Sequence, residues 1–318
     1  MATSGSVDFS VSRDDLIKAA MQYAGVLEEG GTPSATQLTE NSLLLNMIVK
    51  ARMADGMPLW ALKEGYALPI TGTNVYSIGN SAHVVSSYTT TTLASNAAIG
   101  TTIVVSSATG ISSGYAIGVE LDDSTMHWTT VNGAPAGTTV TLTAALTDTA
   151  GAGNRVWVYN TANRIVRPLR VISAYIGQIV DDVLTNRWVL NIVPKDKWLS
   201  LGNPTATGTP NQIWYDPQLT TGDLHVYPRF LGGDQLLEIT YHRPFDDFDA
   251  GTDTPDFPQE WYLALMLELA ALIGAKSGVP LTERRSMQAE ATAARELALS
   301  NGTEEGSLFL QPDTRWQM

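Results

Sequence analysis

The sequence predicts an α+β protein in which helices from its N- and C-terminal parts pack into one bundle. This bundle is attached to an antiparallel β-rich portion, with a small all-β module, sandwich-like or barrel-like, inserted. Three observations predict this. Apolar residues recur at helical spacing in two segments before Trp60 and in two after Pro258. Between them run short apolar and β-branched stretches, broken by Gly, Pro and Asn-containing turns. Within that β-rich stretch lies an internal repeat, Gly100-Thr-Thr-Ile-Val-Val-Ser-Ser-Ala108 against Gly137-Thr-Thr-Val-Thr-Leu-Thr-Ala-Ala145. The predicted divisions are 1–84 (helical hairpin and first strands), 85–160 (β module), 161–302 (remaining core) and 303–318 (arm).

The first helix starts at Ser12, a side chain suited to capping, with Asp15 placed to reach back and Leu16, Ala20, Tyr23 and Leu27 on one face. A second runs from about Gln37 to Met53, with Leu44, Met47, Ile48 and Ala51 as its apolar stripe and Asp55-Gly56 as its stop. Trp60 is expected to anchor this hairpin. In the repeat, alternation puts Ile103 and Val105, or Val140 and Leu142, on one side of a sheet. Each copy leads into another strand, Tyr115–Val119 or Arg155–Tyr159, so the copies are expected as two paired hairpins.

Strands return at Val166–Ala174, Trp188–Val193, Ile213–Tyr215, Leu224–Tyr227 and Leu236–Tyr241. A helix is expected over Tyr175–Asn186, where Ile176, Ile179, Val180, Val183 and Leu184 recur. The helix after Pro258 carries Trp261, Leu265, Leu269 and Leu272 on one face and stops at Gly278-Val279-Pro280. Thr282 is the expected cap of the next helix, whose alanines permit close helix approach.

Composition narrows the function. The 318 residues carry 19 Lys plus Arg against 32 Asp plus Glu, a net charge of −13, the wrong sign for gripping nucleic acid. There is no cysteine, so thiol nucleophiles, disulfides and thiolate zinc sites are excluded. The four histidines never stand at metal-ligand spacing, and no cofactor is expected. No apolar run spans a bilayer and the first residues do not read as a signal peptide, so no membrane anchor is expected and folding in the cytoplasm is the default. The carboxylates Asp246, Asp247, Asp249, Asp253 and Asp256 crowd a turn that offers a calcium ion several oxygens, yet their spacing does not match an EF-hand loop, and they read as a solvated, helix-capping acidic turn. Trp188, Trp198, Trp214 and Tyr215 are candidates for a sugar platform, although such residues are more often core or subunit interface.

Several motifs in order carry a resemblance. They are Asp55-Gly-Met-Pro-Leu-Trp60, Val75-Tyr-Ser-Ile-Gly79, Arg167-Pro-Leu-Arg-Val-Ile-Ser-Ala-Tyr175, Trp214-Tyr-Asp-Pro217 and Gly222-Asp-Leu-His-Val-Tyr-Pro228. Tyr241-His-Arg-Pro-Phe-Asp-Asp-Phe-Asp249 and Thr252-Asp-Thr-Pro-Asp-Phe-Pro-Gln-Glu-Trp-Tyr262 complete the set. Over roughly two thirds of its length the chain resembles the head-to-tail adaptor (connector) family of tailed bacteriophages, the tail accessory factors or tubular connector proteins. The stretch from about Val85 to Asn160 does not follow the pattern.

The resemblance implies a non-enzymatic structural protein, made in the host cytoplasm and located in the virion neck between capsid and tail. It implies a homo-oligomeric ring, a dodecamer, joining the portal protein to the tail hub or nozzle. A tail fibre or spike is a further partner it allows, and double-stranded DNA passes through without specific binding. The residues expected at the portal or ring interface are Leu44, Ile48, Ala291 and Ala294 on helices, with Leu308, Phe309, Leu310 and Trp316 on the arm. The competing readings are a tail-associated cell-wall glycosidase acting through Asp247 and Asp249, and a carbohydrate-binding tail protein acting through residues 85–160.

Overall fold

The computed structural model of the chain describes residues 5–53, 59–79, 83–180 and 183–301. The protein is α+β with mainly antiparallel sheets, as the sequence predicts. It divides into two units, one made of Met1–Ala61 with Phe245–Met318 and the other of Leu62–Pro244. The helices are α1 (Arg13–Tyr23), α2 (Ala35–Arg52), α3 (Lys195–Leu199), α4 (Tyr262–Lys276) and α5 (Leu281–Asn301).

In the first unit, α1, α2, α4 and α5 surround one core that includes Leu16, Ile17, Leu45, Ile48, Trp261, Leu265, Leu269 and Ile273. Two helices open as local chemistry dictates. Ser12 accepts from the Asp15 amide at 3.2 Å, and Ser34 with Gln37 forms a reciprocal capping box that starts α2 two residues earlier than expected. Helix α5 starts at Leu281, with the Pro280 carbonyl accepting from the Arg284 amide, so Thr282 lies inside the first turn rather than capping it. The expected stop of α2 at Asp55-Gly56 lies outside the described residues.

The stripe on α2 is rotated from its expected phase. Asn41, Leu45, Ile48 and Val49 are buried, while Met47 and Ala51 are exposed. The Leu43-Leu44-Leu45 run leaves the phase open, and the bonds of a half-buried polar residue accompany the observed one. Asn46, one turn on, donates to the Phe248 carbonyl at 3.1 Å and accepts from the Phe248 amide at 2.9 Å. Lys50 donates to the Phe245 carbonyl at 2.8 Å. The irregular 245–257 segment is thereby tied to α2, and its aromatic rings close over the core. Trp60 stacks on Phe245 with centroids 4.9 Å apart, and Phe257 packs edge-on to Phe245.

The second unit begins with β1 (Leu62–Ala67), β2 (Val75–Ile78) and β3 (Val84–Val85). Next come β4 (Thr89–Thr92), β5 (Thr102–Val104), β6 (Ala116–Glu120), β7 (Met126–Thr130), β8 (Thr139–Thr141) and β9 (Arg155–Tyr159). It ends with β10 (Arg170–Val180), β11 (Val183–Val189), β12 (Asn191–Ile192), β13 (Gln212–Pro217), β14 (Gly222–Tyr227) and β15 (Gln235–His242). A five-stranded sheet in the order β11-β10-β15-β1-β3 faces a four-stranded one, β12-β13-β14-β2, across a core containing Ile78, Ile176, Ile213, Val226 and Ile239.

The helix expected over Tyr175–Asn186 is instead the β10–β11 hairpin. Ile176 joins the core shared with the four-stranded sheet, and Ile179 joins a separate cluster with Trp157 and Leu236. A strand buried on both faces reads as a near-continuous apolar run, and helical spacing arises within it by accident.

The repeat copies also pair differently from expectation. They do not form two separate hairpins, because each strand pairs with its counterpart in the other copy. Ile103 lies opposite Val140 in β5–β8, while Ile117 and Val119 lie opposite Val158 and Val156 in β6–β9. The outer strands complete a sheet ordered β4-β9-β6-β7, which reads the same under exchange of copies. Side-chain bonds repeat as well: Thr92 to Ser106 at 2.9 Å matches Thr130 to Thr143 at 2.8 Å. Ile103, Val105, Val140, Leu142, Val156 and Val158 fill the shared interior.

Asn46→Ala removes both bonds to Phe248 and leaves its backbone groups without their side-chain partner. We expect a loss of about 1–3 kcal/mol, read as a lower urea midpoint with unchanged m-value.

Burial drives His83 down to about 4 from an ordinary 6.5, with the Arg164 charge adding to the effect. Arg164 can only donate, so the Tyr159 hydroxyl accepts from it at 3.2 Å, and the same hydroxyl shares a hydrogen bond with His83 Nδ1 at 2.8 Å. Because the folded value is depressed, the stabilisation is complete above pH 6.5 and is lost as pH falls toward 4. Denaturation at pH 7.5 and pH 5 is expected to differ by about 2 kcal/mol from this group, and His83→Gln should remove that part of the slope.

Candidate functional site

The site residues expected from sequence fall in three places. Ile48 and Ala291 are buried, at 6% and 4% exposure, within the helical unit. Leu44 and Ala294 are half-buried, Leu44 packing against the core. Leu308, Phe309, Leu310 and Trp316 lie outside the described residues. Ile48 and Ala291 therefore serve the subunit's own packing, and the phase shift of α2 turns Leu43 and Met47 outward in their stead, 58% and 57% exposed. One turn apart on the helix, these two form a short apolar ridge.

Ile48 and Ala291 nevertheless meet at the floor of a surface groove. It holds about 220 Å³ and runs between α2, α4 and α5, with Leu272, Arg52, Glu268 and Arg295 around it. Arg52 Nε stands 3.4 Å from Glu268 Oε2, both side chains only slightly exposed. Leu272 is 44% exposed on the rim. The groove thus pairs an aliphatic floor with two guanidinium groups and one carboxylate. Nothing in the sequence marks Arg52, Glu268 and Arg295 as partners, since each sits on a different helix and long side chains of opposite sign are common on helix surfaces.

The acidic turn is occupied with its own backbone. Asp253 accepts from the amides of Asp249 and Ala250 at 2.8 and 2.6 Å, and Asp256 from that of Asp246 at 3.0 Å. Those amide bonds hold the Asp253 carboxyl below its usual range. Asp247 pairs with Lys50. Among the described residues no group of three or more carboxylates and histidines is placed to hold a metal ion.

The aromatic residues weighed as a sugar platform do not form one surface of four rings. Trp198 is buried, Trp214 stacks on His225 at 4.3 Å, and Tyr215 donates to the Pro168 carbonyl at 2.6 Å. Trp188 stands half exposed on β11, an edge strand of the five-stranded sheet. Among the described residues, no helix is long and apolar enough to cross a membrane.

No protein-family model and no curated protein matches this chain. The reading of its function therefore rests on its residues and their arrangement.

Glu268→Leu leaves the slightly exposed Arg52 without this carboxylate in a half-dry groove. We expect a stability loss of about 1–3 kcal/mol in thermal denaturation, with Arg52→Leu in the same background restoring much of it.

Proposed function

We propose that the protein is a non-catalytic structural component of a tailed-phage virion, a head-to-tail adaptor whose copies form a ring between portal and tail hub. The observation that carries this reading is the folding of Met1–Ala61 with Phe245–Met318 as one helical unit around a β-rich excursion. The motifs that resemble the connector family lie at both edges of that excursion and within it, in the family's order. The helical unit is read as the adaptor's bundle, and the segment around β4–β9 as its inserted β module.

The helical surface supplies what ring closure needs. Met47 and Ile48 are successive residues of α2, about 100° apart around its axis, so the Leu43–Met47 ridge and the Ile48 groove lie on different flanks. A ridge on one flank and a groove on another make a head-to-tail contact between identical subunits, which closes into a ring when the rotation permits. Many weak copies of such a contact become strong on a partner that is itself a ring, because later contacts form at high local concentration. The net charge of −13 suits a wall that lets a duplex pass without binding it. The acidic turn, with Asp253 and Asp256 committed to backbone amides, favours a structural over a glycosidase reading.

Leu43→Glu with Met47→Glu is expected to leave the melting temperature within a few degrees of wild type, because both side chains are exposed, and to abolish joining to a portal ring. Sedimentation and electron microscopy of the protein with and without its portal check this. A double variant that assembles as well as wild type would overturn the role of the ridge, and a wild-type protein that never joins the portal would overturn the adaptor reading.

A further inference from the structure

A second cavity, unrelated to the helical groove, lies in the strand-rich unit where β4 and β9 leave the intertwined repeat. It holds about 210 Å³ and is lined by Tyr88, Thr89, Tyr115, Tyr159, Asn160 and Asn163, among others. Its lining contains no Asp, Glu, Lys or Arg, in a chain whose net charge is −13. A charged ligand would find no counter-ion there.

The frame of the cavity is held by bonds that leave other groups available. Tyr159 is fixed by Arg164 and His83, Asn163 donates through Nδ2 to Ser87 Oγ at 2.8 Å, and Asn160 accepts through Oδ1 from the Ala162 amide at 3.0 Å. The hydroxyls of Tyr88, Thr89 and Tyr115 take part in no hydrogen bond with another described residue, and the same holds for Asn160 Nδ2 and Asn163 Oδ1. Several neutral donors and acceptors around a small polar hollow are complementary to a neutral molecule rich in hydroxyls.

Gly110 keeps the space open. Its φ is +79°, and a Cβ there would stand 3.0 Å from Thr89 Oγ1, against one of the available hydroxyls.

We propose that this cavity binds one neutral sugar residue, a hexopyranose unit of a glycan. The Tyr88, Thr89 and Tyr115 hydroxyls with the Asn160 and Asn163 amides bond its hydroxyls. The site is independent of ring assembly, so either reading stands if the other fails.

Titration of the full chain with the methyl glycosides of glucose, galactose, mannose and N-acetylglucosamine tests it, by calorimetry and saturation-transfer NMR. At least one is expected to bind saturably with Kd of about 0.1–10 mM. Tyr115→Ala should weaken that binding at least about tenfold, a loss of order 1.4 kcal/mol, and because its ring also packs against the core of the repeat the melting temperature falls and binding is measured well below it. Gly110→Val, which fills the cavity, should do the same, and Tyr115→Ala carries the test if the valine variant does not fold. Absence of saturable binding for all four probes overturns the proposal. Binding that survives Tyr115→Ala unchanged also overturns it, as does tighter binding of glucose 6-phosphate or sialic acid than of any neutral probe.

Discussion

The antiparallel pairing of β1 with β15 is the constraint on which the rest of the chain's organisation depends. Leu62 pairs with His242, so the first and last strands of the 62–244 unit lie side by side along the whole of β1, from that pair to Ala67 and Leu237. The chain therefore leaves and returns at one place after an excursion of well over half its length. Without that register, the segments before Ala61 and after Phe245 would have to find each other at the loop-closure cost of the full excursion. With it, closure is carried by backbone hydrogen bonds in a sheet whose inward residues, Leu237, Ile239 and Tyr241, are buried.

A second consequence concerns the intertwined repeat. The outer face of its sheet turns Trp157 and Tyr159 into a cluster with Val85, Ile179 and Leu236 from the five-stranded sheet and with Leu68, which follows β1. Polar bonds fix the docking at several points. Trp157 donates to the Gly233 carbonyl at 2.8 Å, Trp128 to the Pro69 carbonyl at 3.0 Å, and the Gly233 amide to Glu120 at 2.9 Å. Buried indole N–H groups that find carbonyls make such a seam specific as well as stable. Gly118 is part of the same fit, since a Cβ there would press into the Trp128 ring at 2.7 Å. The repeat is thus held against the sheet it interrupts and does not hang from it on linkers, so any surface it carries keeps a fixed orientation within this unit.

The two candidate surfaces divide by chemistry. The groove on the helices combines an aliphatic floor with guanidinium and carboxylate groups, and the exposed ridge of Leu43 and Met47 has the complementary apolar character. The cavity beside β4 and β9 is neutral and rich in hydroxyls. A macromolecular contact on one unit and a small polar ligand on the other are compatible, because neither uses the other's residues.

What the sequence determined by itself was local and periodic. Capping at Ser12, the Trp261, Leu265 and Leu269 face of the helix after Pro258, the strands at Ile213, Leu224 and Leu236, and the duplicated Gly-Thr-Thr segments are readable from spacing and turn residues, whereas Leu272, expected on that helix face, is exposed and Ile273 is buried in its place. That signal fails where apolar residues crowd both sides of a segment: β10, buried on both faces, mimics helical spacing, and the leucines at 43–45 do not reveal which of them faces inward. Only the tertiary structure decided that Asn46 holds Phe248 across about 200 residues, that repeat strands pair between copies, and that Ile48 and Ala291 share a groove with Arg52, Glu268 and Arg295. The physical reason is the same in each case. Periodicity records which side of an element avoids water, whereas the identity of the partner is set by long-range packing and hydrogen bonding that leave no mark at fixed spacing along the chain.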